Sequence, residues 1–148
     1  MIFQFWRRRR VNRKDTKSQR MTREEYNELA KQVVDACFQV HVELGPGLLE
    51  SAYEFALLKE FEMRNIDAIN QVPVKLFYKG FYTGKSYAID ILVENEIVIE
   101  IKCSEIMHPV YEAQIISYLK LAKKKLGFLV NFNVPLIKDG IKRFVNNF

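Results

Sequence analysis

The chain of 148 residues has room for one domain with a sizeable hydrophobic core. Apolar residues make up 49% of it, which excludes disorder for most of the chain. No apolar run approaches the roughly 18 residues of a membrane span, so we expect a soluble protein. The net charge of +5 is uneven: residues 1–20 carry eight Lys or Arg and one Asp, a net +7 that leaves 5 − 7 = −2 for residues 21–148. The second part therefore offers no electrostatic argument of its own for binding nucleic acid.

Residues 1–20 are too charged and too unpatterned to pack into a core. They do not resemble a secretory signal, because their short apolar stretch precedes the arginines. We interpret them as a basic tail, which is solvated, binds nucleic acid as an arm, or is an upstream extension of a reading frame that begins at Met21. The folded domain is predicted to occupy residues 21–148. Two cysteines, Cys37 and Cys103, are consistent with reduced thiols and a cytoplasmic location.

Two helices are predicted at the start of the domain. Thr22 to Glu25 spells a capping box, which indicates a helix N-terminus, and apolar residues then recur at helical spacing for about twenty residues. The Gly-Pro-Gly sequence at residues 45–47 ends this helix. A second helix is predicted from about Leu48 to Arg64.

The apolar spacing then changes to that of strands. Three strands are predicted in succession, at residues 71–78, 86–93 and 97–102, with reversals at 79–85 and 94–96. A third helix is predicted from Pro109 to Lys125 and a fourth strand at 127–132, whereas residues 140–148 fit either a strand or a short helix. The order α-α-β-β-β-α-β indicates an α/β fold, a mixed sheet of about four to five strands flanked by helices.

Three charged residues interrupt the second and third strands. A turn at residues 94–96 would place Asp90 directly opposite Glu100, with their side chains close together. Lys102 shares a face with Glu100 because strand side chains repeat every two residues. Two carboxylates this close repel each other unless a proton or a cation lies between them, and Mg²⁺ accepts such ligands. The pattern therefore predicts a site for a divalent cation.

The Asp90…Glu100-x-Lys102 pattern, on a hairpin followed by a helix, resembles the signature of the PD-(D/E)XK nuclease superfamily, although Ile89 rather than Pro precedes the aspartate. Two further motifs strengthen the resemblance, and all elements occur in the correct order across roughly residues 22–146. One is the G-x-x-E-x-x-Y motif of a family of small bacterial and archaeal proteins, and the other is the Q-x-x-x-Y element of RecB-like nucleases. They are carried by Gly47, Glu50 and Tyr53, and by Gln114 and Tyr118.

This resemblance implies a restriction-endonuclease-like core and a metal-dependent nuclease that hydrolyses DNA through a metal-activated water. The implied site residues are Glu50, Asp90, Glu100, Ile101, Lys102, Gln114 and Tyr118. Asp90, Glu100 and the carbonyl of Ile101 would hold Mg²⁺ or Mn²⁺, and Glu50 would complete the metal shell. Lys102 would orient the water and stabilise charge on the phosphate. The glutamine and tyrosine would position a phosphate or support the lysine.

Each site residue also has a purely structural explanation. The two strand carboxylates and the lysine could form an ion-pair network, although buried ion pairs seldom improve on apolar residues, which favours a function. Glu50 lies in a first helical turn, where a carboxylate complements the helix dipole. Gln114 and Tyr118 could be an ordinary pair at the edge of the core. We interpret Tyr53 as a packing residue and assign no role to Asn131.

Two other functions fit the same motifs. A catalytically silent nucleic-acid-binding or assembly module would explain the near-neutral domain, because binding many phosphates normally requires clustered Lys and Arg. Hydrolysis of a nucleotide or another small phosphate ester would use the same site with less basic surface. A domain of this size offers little surface for duplex DNA, which leaves room for a homodimer or a partner protein.

Overall fold

The structure, a computed structural model, describes residues 20–148. Its elements are α1 (Arg23–Leu44), α2 (Glu50–Met63), β1 (Ala68–Tyr78), β2 (Phe81–Val93), β3 (Ile97–Lys102), α3 (Pro109–Ala122), β4 (Leu126–Asn131), a 3₁₀ turn (Ile137–Asp139) and β5 (Ile141–Val145). The predicted basic tail lies outside the described residues, apart from Arg20. Within the described part, no helix combines the length and the apolar character that crossing a bilayer requires.

The five strands form one mixed sheet whose spatial order follows the chain, β1-β2-β3-β4-β5. All neighbours are antiparallel except β3 and β4, which are parallel because α3 carries the chain back between them. Helices α1 and α2 pack on one face of the sheet and α3 on the other. The predicted α/β fold is therefore confirmed, and the ambiguous C-terminal segment contains the fifth strand.

The reversal predicted at residues 79–85 is wrong in extent. The chain turns at Lys79 and Gly80 alone, both with positive φ (48° and 84°), as a two-residue hairpin turn requires. Residues 81–85 belong to β2, and a register shift between Lys75 and Phe77 accommodates them. The glycines at positions 80 and 84 led to the prediction of a longer loop, but they are compatible with a long bulged hairpin. Helix α3 ends at Ala122, earlier than predicted.

The corner between α1 and α2 positions the start of α2. The predicted capping box at Thr22 is present, and the backbone N–H of Gly45 closes the other end of α1 by donating to the carbonyl of His41. Tyr53 is fully buried and stacks on Phe132 with 4.4 Å between ring centroids. Its hydroxyl donates to the carbonyl of Gly45 and accepts from the N–H of Leu48. The predicted packing role of Tyr53 is confirmed, and it anchors the turn that precedes Glu50.

Helix α3 lies close to the sheet over Gly127 in β4. A Cβ atom at this glycine would lie 3.1 Å from Ile115 Cδ1, 3.2 Å from Leu119 Cδ2 and 3.3 Å from the carbonyl oxygen of Val98. Both α3 side chains are fully buried. The absence of a side chain at Gly127 therefore sets how closely α3 approaches the sheet.

Replacing Gly127 with Ala should lower the free energy of unfolding by about 1 to 3 kcal/mol, because the new methyl group must displace α3 or the strand beneath it. In an unobstructed strand the same replacement stabilises by about 0.5 to 1 kcal/mol. Denaturant unfolding measures the difference, and a gain in stability would contradict this close packing.

Candidate active site

The hairpin of β2 and β3 has the register predicted from the sequence. The paired residues are Val93 with Ile97, Leu92 with Val98, and Ile91 with Ile99. Continuing this register places Asp90 across from Glu100. Both acidic residues therefore lie where the regular pairing of the two strands ends.

At this point carboxylates replace backbone carbonyls as hydrogen-bond acceptors between the strands. The backbone N–H of Asp90 donates to Oε1 of Glu100 over 3.2 Å. The backbone N–H of Ile101 donates to Oδ2 of Asp90 over 2.8 Å. Because each carboxylate is held by the opposite strand, the positions of the two acidic side chains are set by the sheet itself.

The sheet is irregular beside Asp90. Gln71, on the neighbouring β1, has φ +51° inside a strand, although pairing with β2 is retained on both sides of it. Ile89 packs under α3 whereas Ile91 packs under α1 and α2, so the regular alternation of side chains is interrupted at Asp90. A non-glycine residue in the left-handed region costs about 1 to 3 kcal/mol and is typical of functional sites.

Burial is the main cause that raises the pKa of both carboxyl groups, and a neighbouring carboxylate adds to each shift. Glu100 is 5% exposed, and burial together with the charge of Asp90 raises its pKa to about 8, against the opposing effects of the hydrogen bond from the Asp90 backbone N–H and of the Lys102 charge. Burial also raises the pKa of Asp90; the hydrogen bond from Ile101 opposes this shift and the charge of Glu50 adds to it. The pair is thus two acids confined together, with one lysine nearby that does not neutralise them.

A cavity of about 260 Å³ opens beside Asp90, between α2 and the sheet. It is lined by Glu50, Ser51, Glu54, Gln71, Asp90 and Ile101. Glu54 and Gln71 were missed by the sequence reasoning: Nε2 of Gln71 donates to Oε1 of Glu54 over 2.7 Å, and the Gln71 side chain lowers the pKa of Asp90. Helical spacing could have found Glu54, one turn after Glu50. No pattern in the sequence marks Gln71.

The donor set fits a hard divalent cation. Two carboxylates and a nearby backbone carbonyl offer oxygen ligands only, which suit Mg²⁺ or Mn²⁺ rather than a softer metal. A cation between the carboxylates would favour their ionised forms and so oppose the effect of burial on both pKa values. Among residues 20–148, no three Asp, Glu, His or Cys side chains converge closely enough to form a metal cluster. Glu50 therefore faces the same cavity as Asp90 without completing a three-carboxylate cluster.

Lys102 and Tyr118 lie on the α3 side of the site. The Lys102 ammonium is 4.5 Å from the centre of the Tyr111 ring, and its charge lowers the pKa of both strand carboxyls. Burial raises the pKa of Tyr118, with further contributions from the charges of Glu100 and Asp90, so its hydroxyl lies within their field.

Gln114 lines a groove of about 500 Å³ between α3 and the β1–β2 hairpin, and Tyr118 lines the same groove. The structure thus brings the tyrosine towards the carboxylates. It places the glutamine in the adjoining groove.

Asn131, which the sequence reasoning left without a role, holds the chain just after Lys102. Its Oδ1 accepts from the backbone N–H of Ser104 and of Asn133, both over 3.1 Å, and its Nδ2 donates to the carbonyl of Ser104 over 2.8 Å. The side chain is buried. Asn131 therefore fixes the end of β3, where the lysine lies.

Comparison with known proteins gives one match. A family model described as the PD-(D/E)XK nuclease superfamily matches residues 27–144, which include every predicted site residue. Neither the curated proteins nor the solved structures contain a match to the chain.

The stability of the metal-free protein should depend on pH through Glu100. Because the folded state raises the pKa of Glu100 from 4.5 to about 8, it binds a proton that the unfolded chain releases. The free energy of unfolding should therefore fall as the pH rises from about 5 to 8. Glu100→Gln removes this proton binding and keeps the Oε1 acceptor. The free energy of unfolding of the variant should therefore exceed that of wild type by about 1 to 4 kcal/mol at pH 8 and equal it near pH 5. Denaturant unfolding in EDTA measures both. Parallel pH profiles for the two proteins would contradict the shift.

Asn131→Ala should lower the free energy of unfolding by about 1 to 3 kcal/mol, because three partly buried backbone groups of Ser104 and Asn133 lose their hydrogen-bond partner. The matched control is Asn133→Ala, expected to change stability by less than about 0.5 kcal/mol. Equal losses of stability in Asn131→Ala and Asn133→Ala would show that the hydrogen bonds between the Asn131 side chain and the backbone of Ser104 do not stabilise the fold.

Proposed function

Because the chain belongs to the PD-(D/E)XK nuclease superfamily, we propose that it is a Mg²⁺- or Mn²⁺-dependent nuclease that hydrolyses phosphodiester bonds in DNA. One observation carries this proposal: Asp90 and Glu100 hold each other's strands through their carboxylates at the point where the β2–β3 ladder ends. Apolar residues with ordinary backbone pairing would be a more stable filling for this place. A pair of confined acids is retained there because it binds a cation.

The residues divide the chemistry between them. Asp90, Glu100 and the carbonyl of Ile101 would hold the ion, and Glu50 would add negative charge from the wall of the same cavity. When bound, the ion supplies a polarised phosphate and a water of lowered pKa. Lys102 orients the attacking water and stabilises the negative charge that develops on the phosphate. Within residues 20–148 its ammonium makes no direct ion pair with a carboxylate, which leaves its charge available to the substrate.

The α3 residues contact the substrate strand next to the bond that is cut. Gln114 and Tyr118 lie one turn apart on α3 and line one groove, where they position a phosphate. Gln71 lines the same cavity as Asp90, and its side chain favours the ionised form of that carboxyl.

We also place the chain in the branch named for its G-x-x-E-x-x-Y motif. The three residues of this motif have different structural roles: the glycine lies in a turn, the glutamate faces the cavity, and the tyrosine packs in the core. Gly47 has φ +94°, Glu50 begins α2 and faces the cavity, and buried Tyr53 ties down the turn between them. The motif thus presents a carboxylate to Asp90 from a rigid corner.

The test is calorimetric titration of Mg²⁺ and Mn²⁺ together with cleavage of single- and double-stranded DNA. Asp90→Asn and Glu100→Gln should lose metal binding, and their cleavage rates should fall by about 100-fold or more. Lys102→Gln should retain metal binding and lose cleavage to a similar extent. The control is Glu62→Gln, which removes an exposed carboxylate from α2 and should behave as wild type.

Three outcomes of this test count against parts of the proposal. A wild-type protein that binds neither metal, with or without DNA, would reduce the acids to a structural network. Metal binding without cleavage of DNA would favour the silent module. Cleavage of nucleotides or other small phosphate esters but not of DNA would change the substrate.

A further inference from the structure

The outer part of the β1–β2 hairpin, residues 75–87, carries an unusual set of exposed side chains, and we call this segment the aromatic hairpin. Five of its aromatic side chains are between 44% and 76% exposed: Phe77, Tyr78, Phe81, Tyr82 and Tyr87. The same segment contains three lysines, at positions 75, 79 and 85, and no Asp or Glu. A contiguous group of large exposed apolar side chains normally marks an interaction site.

The rings and the ammonium groups of the aromatic hairpin lie beside one another. Phe77 pairs with Tyr82 across the strands, with 5.5 Å between ring centroids, and Tyr78 pairs with Phe81. The ammonium of Lys75 lies 5.4 Å from the centre of the Tyr82 ring. Lys79, in the turn, lies 5.5 Å from the ring of Tyr78. Each pair of rings therefore presents an apolar surface with a positive charge at its side.

Nothing in the core requires these residues. The ladder between β2 and β3 includes only residues 91–93 of β2, so the rest of β2 is paired with β1 alone. A two-stranded ribbon gains little stability by itself. A long ribbon that keeps large rings in water is therefore explained by what it binds.

The inner end of the aromatic hairpin leads to the candidate active site. Tyr87 lies 5.7 Å from Tyr118 on α3, measured between ring centroids, and both line the groove that also contains Gln114 and Lys120. The charges of Glu100 and Asp90 contribute to the raised pKa of Tyr118, which places its hydroxyl near the two carboxylates. At about 3.4 Å per residue, Tyr82 lies roughly 27 Å along β2 from Asp90. Rings thus occur from the tip of the ribbon to the edge of the site.

We propose that the aromatic hairpin binds an unpaired DNA strand and guides it towards Asp90 and Glu100. The identity of the nucleic acid as DNA rests on the proposed function. Bases stack on exposed rings whatever their sequence, and the lysines attract the phosphates between them. In a duplex the faces of the bases are already stacked on one another, so these rings favour a single strand.

A second copy of the chain fits this surface less well. A symmetric contact places the same surface of each copy against the other. The three lysines of one aromatic hairpin would then face the three of its partner, without an acidic residue in either segment to offset the repulsion. A strand of phosphates supplies the opposite charge.

The test is the fluorescence anisotropy of a labelled DNA strand, of the same strand annealed to its complement, and of an RNA strand of the same sequence. Full-length Glu100→Gln protein in EDTA is used, so that no cleavage is needed. In this background, Phe81→Leu and Tyr82→Leu should each weaken single-strand binding by about 5- to 100-fold and leave duplex binding unchanged. Tyr82→Phe keeps the ring and should bind as the background protein does.

Two controls separate stacking from other effects. Phe55→Leu removes a ring that is 68% exposed on α2 and should have no effect on binding. Replacing Lys75, Lys79 or Lys85 with Gln should reduce the slope of log affinity against log salt concentration by about 0.7 each, whereas Lys31→Gln should not change it.

Several results would overturn the inference. Equal losses for single strand and duplex would rule out stacking on unpaired bases, and equal dependence of RNA binding on the rings would remove the choice of DNA. Dissociation of a dimer by Tyr82→Leu, without an effect on DNA, would make the surface a self-association site.

The two proposals can fail independently. Ring-dependent single-strand binding by a protein whose wild type cuts no DNA would support the hairpin and exclude the nuclease. If wild type cleaves DNA and Phe81→Leu and Tyr82→Leu cleave it equally well, the nuclease is supported and the role of the aromatic hairpin is excluded.

Discussion

The candidate site depends on the exchange of hydrogen bonds between Asp90 and the strand that carries Glu100. In an ordinary antiparallel pair each backbone N–H would meet a backbone carbonyl. Here the N–H groups of Asp90 and Ile101 meet carboxylates instead, which ends the ladder and opens the sheet. Every other part of the site is arranged around this opening. α2 closes one side of it with Glu50 and Glu54, and α3 approaches from the other face.

The exchange has an energetic consequence that accounts for the surrounding irregularities. Two acids are confined where burial raises their pKa values, and a glutamine beside them is held with a positive φ. Structure elsewhere must compensate for this local instability. Rigid anchors surround the opening: Tyr53 under the α1–α2 corner, Gly127 beneath α3 and Asn131 at the end of β3. A site that must hold a cation with little rearrangement benefits from such preorganised neighbours.

The parts of the fold that were predictable are those set by local patterns. The capping box at Thr22, the change from helical to strand spacing, and the short turn that pairs Val93 with Ile97 each depend on neighbouring residues. The register followed from that turn by counting. Gln71 could not be predicted in this way, because its role arises from strand pairing with β2 and from α2, which are distant in sequence. The length of the hairpin was misjudged for a related reason: glycine permits a turn but does not require one.

The charges of residues 21–148 are unevenly distributed along the chain. Residues 21–148 sum to −2, yet the aromatic hairpin within them carries three lysines and no acid. Glu50, Glu54 and Asp90 line the cavity, and Glu100 accepts a hydrogen bond from the backbone of Asp90. The small net charge of residues 21–148 is therefore the sum of a positively charged aromatic hairpin and a negatively charged candidate site. This separation suits a polyanion that must be attracted at one place and cut at another, since an acidic centre repels phosphate until a cation occupies it. In the proposed mode of binding, the aromatic hairpin would supply the attraction that the acidic centre lacks, and the position of its lysines would matter more than the net charge of the domain.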